Sequence, residues 1–277
     1  MIKAIQIPYN NAFAKKCEYS SLAGFEHISV NFYEMLGKNE YEWDKAIEDI
    51  KNILDKNNLK CIQTHAYYYD LTISSQIVDE PCEFAINQAV KATGLLNSIA
   101  CVTHARTSLS SAYIISKTIE DNKRVYTQYL ETAKKYNTAV AIENLPIFPG
   151  IVPIMPFFTS ICSDLIDFVD SFKDEAMVVC WDTGHANLME YKQEVAIKAL
   201  GSRIKCTHLH NNYTKDDEHN PLDCGSISWE KVMNAFKDIG YNGPFTLETR
   251  FAHNSLDLFK GFAVHDYSTL NWIETMI

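Results

Sequence analysis

Apolar positions along this chain follow two alternating rhythms: short β-rich runs, and longer stretches with three-to-four spacing. The short runs occupy 4–7, 25–32, 59–65, 99–104, 138–144, 177–182, 204–210 and 245–250. Helical spacing is clearest at 41–57, 81–96, 111–136, 191–200 and 229–239. In the first of these, Trp43, Ala46, Ile47, Ile50 and Ile53 share a face with acids opposite, the stripe by which a helix docks on a core. Pro81 opens the next, where its missing N–H costs nothing.

Eight such runs alternating with helices predict an α/β fold, a closed parallel (β/α)8 TIM barrel over 1–277 in one domain. An open doubly wound sheet would advertise a glycine-rich turn after its first strand. Here Pro8, Tyr9, Asn10 and Asn11 follow Ile7 instead. The segment 146–158, rich in proline and aromatics, is expected as a loop insertion over the barrel mouth.

In such a barrel the C-terminal end of each strand feeds the active site. The third to eighth runs end in QTH (63–65), VTH (102–104), AIEN (141–144), WDTGH (181–185), THLH (207–210) and LETR (247–250). Singly, each has a bland reading: a histidine as hydrogen-bonded scaffold, Asp182 as a helix cap. A glutamate closing an apolar strand is costly unless paired or bound to metal. That many carboxylates and imidazoles at one mouth would be held together most simply by a divalent cation.

Residues i and i+2 of a strand share a face, so His208 and His210 point one way, as do Glu248 and Arg250 on the same assumption. Glu143, Asp182, one of His208 and His210, and Glu248 are the candidate ligands. Their oxygen and imidazole donors suit Mn, Zn, Co or Mg, with more than one ion open. The DDEH run at 216–219 reads either as a solvated loop or as Asp217 and His219 closing over an ion or substrate.

Composition narrows the partners. The 47% hydrophobic content fills a core, yet no apolar run reaches the length of a membrane span. The start, MIKAIQIPYN, reads as a strand rather than a signal peptide, so a cytoplasmic protein is expected. Of eight cysteines, Cys61, Cys101, Cys180 and Cys206 sit in apolar runs and no CxxC occurs, which favours buried free thiols. A formal charge of −10 with no basic block disfavours nucleic acid. A small molecule is the expected partner, with exposed barrel helices leaving room for a homo-oligomer.

The ordered set AIEN, DTGH, THLH, DDEH, GSISW and LETR resembles the xylose-isomerase-like barrel superfamily, in particular its sugar-phosphate isomerase/epimerase group. The resemblance runs the whole length of the chain. It implies a metal held by Glu143, Asp182, His208 and Glu248, with Glu143 and Glu248 exchanging a proton through a metal-stabilised enediolate. His185 would contact metal or substrate; Asn31, His65 and Arg250 are candidates for substrate hydroxyl or phosphate groups. Family members usually carry an acid three residues after the histidine ligand; here that residue is Asn211, which leaves His208 and His210 both open.

A second branch, the endonuclease-IV-type nucleases, holds three zinc ions through residues matching His65, His104, Glu143, Asp182, His185, His208, Asp217, His219 and Glu248. Two turns depart from that branch: Ala105 and Arg106 follow His104, and Asn220 to Gly225 replace its glycine-rich turn. The alternative function is therefore a multi-zinc phosphodiesterase. A barrel that only binds a ligand is disfavoured, because degenerate sites tend to lose such residues.

Overall fold

The computed structural model describes residues 1–68, 80–107, 115–146, 158–251 and 255–277. Eight strands close a parallel barrel in chain order: β1 Ile2–Pro8, β2 His27–Asn31, β3 Lys60–His65, β4 Ala100–Thr103, β5 Ala139–Glu143, β6 Met177–Asp182, β7 Ile204–Leu209 and β8 Pro244–Leu247. The helices are α1 Phe13–Ala23, α2 Glu40–Lys56, α3 Glu80–Leu95, α4 Ile115–Lys135, α5 Cys162–Asp170, α6 Thr183–Leu188, α7 Gln193–Leu200, α8 Trp229–Asp238 and α9 Leu256–Glu274. The α/β barrel expected from the pattern is what the chain forms. The proline-rich insertion at 146–158 lies almost wholly outside the described residues.

Local chemistry explains the best-defined helix. Asn39 caps α2 by accepting from the Glu42 N–H at 3.1 Å, while the Glu42 carboxylate accepts from the Asn39 N–H at 2.9 Å. This reciprocal box satisfies two amides that the helix itself leaves orphaned. Trp43, Ala46, Ile47, Ile50 and Leu54 then bury the face that the sequence pattern marks.

Two cores result. A large one lies between strands and helices, with Trp43, Trp181, Tyr126 and Phe236 fully buried in it. A small one, of Ala100, Val102, Ala141, Val178, Cys180 and Cys206, fills the barrel interior. Small residues are needed there because the strands converge on one axis. Register shifts at Ile28/Ser29 and at Val179/Cys180 adjust which side chains face inward from the neighbouring strands β3 and β7. The eight cysteines are free thiols, and burial pushes Cys61 and Cys101 up to about 11. Among the described residues, no helix is long and apolar enough to cross a membrane.

Candidate metal centre

Strand register brings the ligand candidates to one level. Glu143 pairs beside Cys180, two residues below Asp182; Asp182 pairs with His208; Asn31 pairs with His65. Glu143, Asp182, His208 and Glu248 each offer an atom within 4.8 Å of the others. His208 Nδ1 is the hub: it lies 3.2 Å from Glu248 Oε2, 3.3 Å from Glu143 Oε1 and 3.9 Å from Asp182 Oδ2.

None of those approaches is a hydrogen bond. His208 is fully buried, yet both its ring nitrogens lack a hydrogen-bond partner among the described residues, as does Glu143 Oε1. A buried imidazole without partners is costly. Three carboxylates aimed at one nitrogen without hydrogen-bond alignment is the arrangement a shared cation would satisfy. The residues therefore fit a divalent ion of oxygen and imidazole preference: Mn, Zn, Co or Mg.

Two further groups flank the hub. His65 and His104 converge on Glu143 Oε2 at 3.4 and 3.1 Å. On the other side, Asp217 Oδ2 lies 3.4 Å from His185 Nε2 and 3.1 Å from His219 Nε2. His210 joins this second group, its fully buried ring placing Nε2 3.9 Å from Asp217 Oδ1, and it links the group to the hub at 3.0 Å from Asp182 Oδ1. Both histidines of THLH thus face inward, but His208 belongs to the hub and His210 to the flank.

The main chain aims three of these rings. His65 Nδ1 lies 2.7 Å from the Ala66 carbonyl, His185 Nδ1 2.9 Å from that of Asn144, and His219 Nδ1 2.7 Å from that of Glu248. A carbonyl only accepts, so each Nδ1 carries a proton, and the proton given up when an ion binds is the one on Nε2, which leaves the tautomer of a metal ligand. Asp182 has a double role. Its Oδ1 accepts from the His185 N–H at 2.6 Å, capping α6, while the carboxylate still faces His208 and His210.

The electrostatics show how strongly the acids and imidazoles depend on one another. Burial works against charge on His208, but the Glu248 and Glu143 carboxylates outweigh it and raise the ring to about 9. His219 is raised to about 9, Asp217 outweighing burial there. Burial would lift Glu143, yet His208 and His104 hold it well below the carboxylate range. Cys180 Sγ also lies within reach of Glu143 and His208, but burial and the nearby acids keep its thiol protonated.

A cavity of about 260 Å³ opens over the group, lined by Asn31, His65, Tyr68, His104, Glu143, Leu145, Pro146, His185, Asp217, His219 and Glu248. Asn31 takes its expected place. Arg250 does not: its side chain is exposed and absent from the lining, and only its backbone N–H reaches the site, donating to the His219 carbonyl at 2.8 Å. The expected alternation with Glu248 fails because β8 ends at Leu247, so no strand phase carries through to residue 250. Asn211 is turned away as well, knotting its loop by donating to the Leu222 carbonyl at 2.8 Å and accepting from the Ile227 N–H at 3.1 Å.

Two supporting residues escape the sequence reading. Gln6 donates to Glu248 Oε1 at 2.5 Å, orienting it across the barrel seam. Asn144 bridges β5 to β6, accepting from the Asp182 N–H at 2.7 Å and donating to the Asp182 carbonyl at 3.0 Å. A polar residue inside the apolar run of β1 was the available signal for Gln6.

Comparison with known proteins bears on the family and the fold. A protein of Methanocaldococcus jannaschii, uncharacterized, is 27% identical over 212 residues, covering 74% of this chain and 70% of that one. A D-psicose 3-epimerase of Enterocloster bolteae is 28% identical over 120 residues, covering 43% of this chain and 36% of that enzyme. Among solved structures, a D-tagatose 3-epimerase-like protein superposes with TM-score 0.74 at 20% identity, covering 99% of both chains. A D-allulose 3-epimerase from Methylomonas sp. in complex with D-allulose gives 0.78 at 14%, covering 100% of this chain and 97% of that one. At those identities the superpositions establish the fold. The family described as xylose isomerase-like TIM barrel matches residues 17–261, and the chain belongs to it.

Proposed function

We propose that this chain is a metal-dependent isomerase or epimerase of a sugar or related polyhydroxylated ketone, exchanging a proton at the carbon beside the carbonyl. The observation that carries this reading is the convergence of Glu143, Asp182, His208 and Glu248 beneath a cavity of small-molecule size. The partial likeness to a D-psicose 3-epimerase supports it. When bound, a divalent cation supplies Lewis acidity toward a carbonyl or lowers the pKa of a water it holds, and two or three together stabilise attacking and leaving oxygens.

The two glutamates differ in a useful way. Glu248 is 15% exposed to the cavity, with Gln6 holding its Oε1 while its Oε2 lies 3.2 Å from His208 Nδ1. Glu143 is buried, with His104 Nε2 at 3.1 Å from its Oε2. Reaching in from β5 and from the end of β8, the pair can address one carbon from two directions, as removal and return of a proton require. His65 and Asn31 line the same cavity and serve the substrate hydroxyls.

The test is deuterium exchange. The Mn- or Co-loaded protein, incubated with a panel of free ketoses in D2O, incorporates deuterium beside the carbonyl, and Glu248→Gln removes the exchange. Full exchange in both Glu143→Gln and Glu248→Gln would sink the mechanism.

A second reading has its own observation: the flanking groups His65–His104–Glu143 and His185–His210–Asp217–His219 could each hold a further ion. That arrangement suits a multi-zinc phosphodiesterase. About three zinc per chain, together with cleavage of abasic DNA, would favour it over the epimerase; one ion and no cleavage would remove it.

A further inference from the structure

We infer that the cavity continues onto an aromatic shelf of Tyr33 and Tyr68 that holds the flat face of a second, uncharged sugar ring. The substrate is then a two-ring polyol, neither a sugar phosphate nor a bare monosaccharide. This rests on the isomerase reading of the same cavity and adds to it the substrate class.

The shelf is built by neighbouring strands. Tyr33 opens the short turn after β2, its N–H donating to Asn31 Oδ1 at 2.8 Å, and Tyr67 and Tyr68 follow β3. The rings stack nearly parallel: Tyr33 lies 5.1 Å from Tyr67 and 5.0 Å from Tyr68, at 21° and 29°. Tyr68 also stacks on His104, at 5.6 Å and 22°, which joins the shelf to the metal-ligand groups. Tyr68 lines the cavity, and Tyr33 continues the aromatic surface from it.

Stacking does not bury these rings. Tyr33 remains 43% exposed and Tyr68 40%, although both belong to an aromatic cluster at the mouth of the barrel. An exposed aromatic cluster beside a polar cavity is a surface that a ligand covers. The electron-rich ring faces attract the slightly positive C–H face of a pyranose. In the same short turn as Tyr33, Glu34 accepts from Asn10 through Oε1 at 3.0 Å.

The charge pattern disfavours a phosphate. The described residues lining the cavity include Glu143, Asp217 and Glu248 but no lysine or arginine. The sequence segments 69–79, 108–114, 147–157 and 252–254 contain neither. Arg106, nearest in sequence to His104, is engaged with Glu83 at 3.1 Å. A phosphate dianion is most often met by an arginine or lysine.

The experiment titrates the metal-loaded full chain calorimetrically with D-fructose, a glucosyl-fructose bearing a free keto group, D-fructose 6-phosphate and a 4-nitrophenyl glycoside. The expected result is that the disaccharide binds about tenfold tighter than fructose, the gain of one stacked ring. Tyr33→Ala removes most of that gain and leaves fructose within about twofold, whereas Tyr68→Ala, inside the cavity, weakens both ligands and Tyr68→Phe retains the gain; thermal midpoints verify folding. Equal affinity for fructose and the disaccharide overturns the shelf, as does tightest binding of the phosphate ester. A gain confined to the aryl glycoside overturns the assignment of a sugar ring. Fructose exchange without any disaccharide gain sinks the shelf alone, while the absence of both binding and exchange sinks the isomerase reading beneath it.

Discussion

The imidazole of His210 lies flat against that of His219, ring centroids 3.9 Å apart and 11° from parallel. This contact, with the approach of His210 Nε2 to Asp217 Oδ1 at 3.9 Å, assigns the two histidines of THLH to different groups of ligands. His208→Ala should therefore weaken the central ion by on the order of 100-fold, whereas His210→Ala should leave it within about tenfold. Metal analysis and calorimetric titration of both variants check this. Equal losses would mean that the two rings share one ion.

Gly184 makes the position of His210 possible. A Cβ at Gly184 would collide with the His210 ring, so Gly184→Ala must move one or the other. The expected outcome is a destabilisation of about 1–3 kcal/mol by overpacking, together with weaker binding of any flanking ion. Thermal unfolding with and without added zinc separates the two effects.

Protons and cations compete for the centre. His208 and His219 are raised from the ordinary 6.5 to about 9 in the metal-free protein, and a bound ion must displace those protons. Metal affinity should accordingly rise with pH up to about 9. Calorimetry in buffers of different ionisation enthalpy would count the released protons. The same shifts stabilise the metal-free fold below pH 6.5, a contribution lost as pH rises through about 9. The thermal midpoint of the stripped protein should fall across that window and recover on adding a cation.

Asp266 carries the opposite sign. It is buried in α9, with the Thr249 hydroxyl donating to its Oδ2 at 2.5 Å and no partner for Oδ1 among the described residues, and burial raises its carboxyl from 3.8 to about 7. The native state then holds a proton that the unfolded chain gives up near pH 4. This group therefore costs stability increasingly from about pH 4 to 7, up to a few kcal/mol above that. Asp266→Asn should raise the thermal midpoint at pH 8 and change it little at pH 4. A uniform effect at both would be contrary to this account.

The bridge made by Asn144 gives a simpler test. Asn144→Ala leaves the Asp182 N–H and carbonyl, both in the buried strand end, without that partner. The cost should be about 1–3 kcal/mol in denaturant unfolding.

Much of this was legible before any coordinates. The strands were visible because alternation and β-rich runs recur, and Glu143 stood out because a carboxylate at the end of an apolar strand needs a reason. His208 and His210 were readable as an inward pair; their division between two groups was not, since it depends on what neighbouring strands place opposite them. Alternation does not place Arg250, because β8 ends at Leu247. Helices α1 and α9 gave weak signals, with small and polar residues such as Ser20, Asp266 and Thr269 on their buried sides. The tyrosine shelf joins residue 33 to residues 67 and 68, a contact made by neighbouring strands rather than by local spacing.

Carbonyls of Ala66, Asn144 and Glu248 swivel-lock three imidazoles, so the aim of those rings is written into the ends of the strands. The connecting segments beyond can then be exchanged without retuning the inner array. Such a division of labour lets one chemical engine be refitted for new substrates by altering its rim alone.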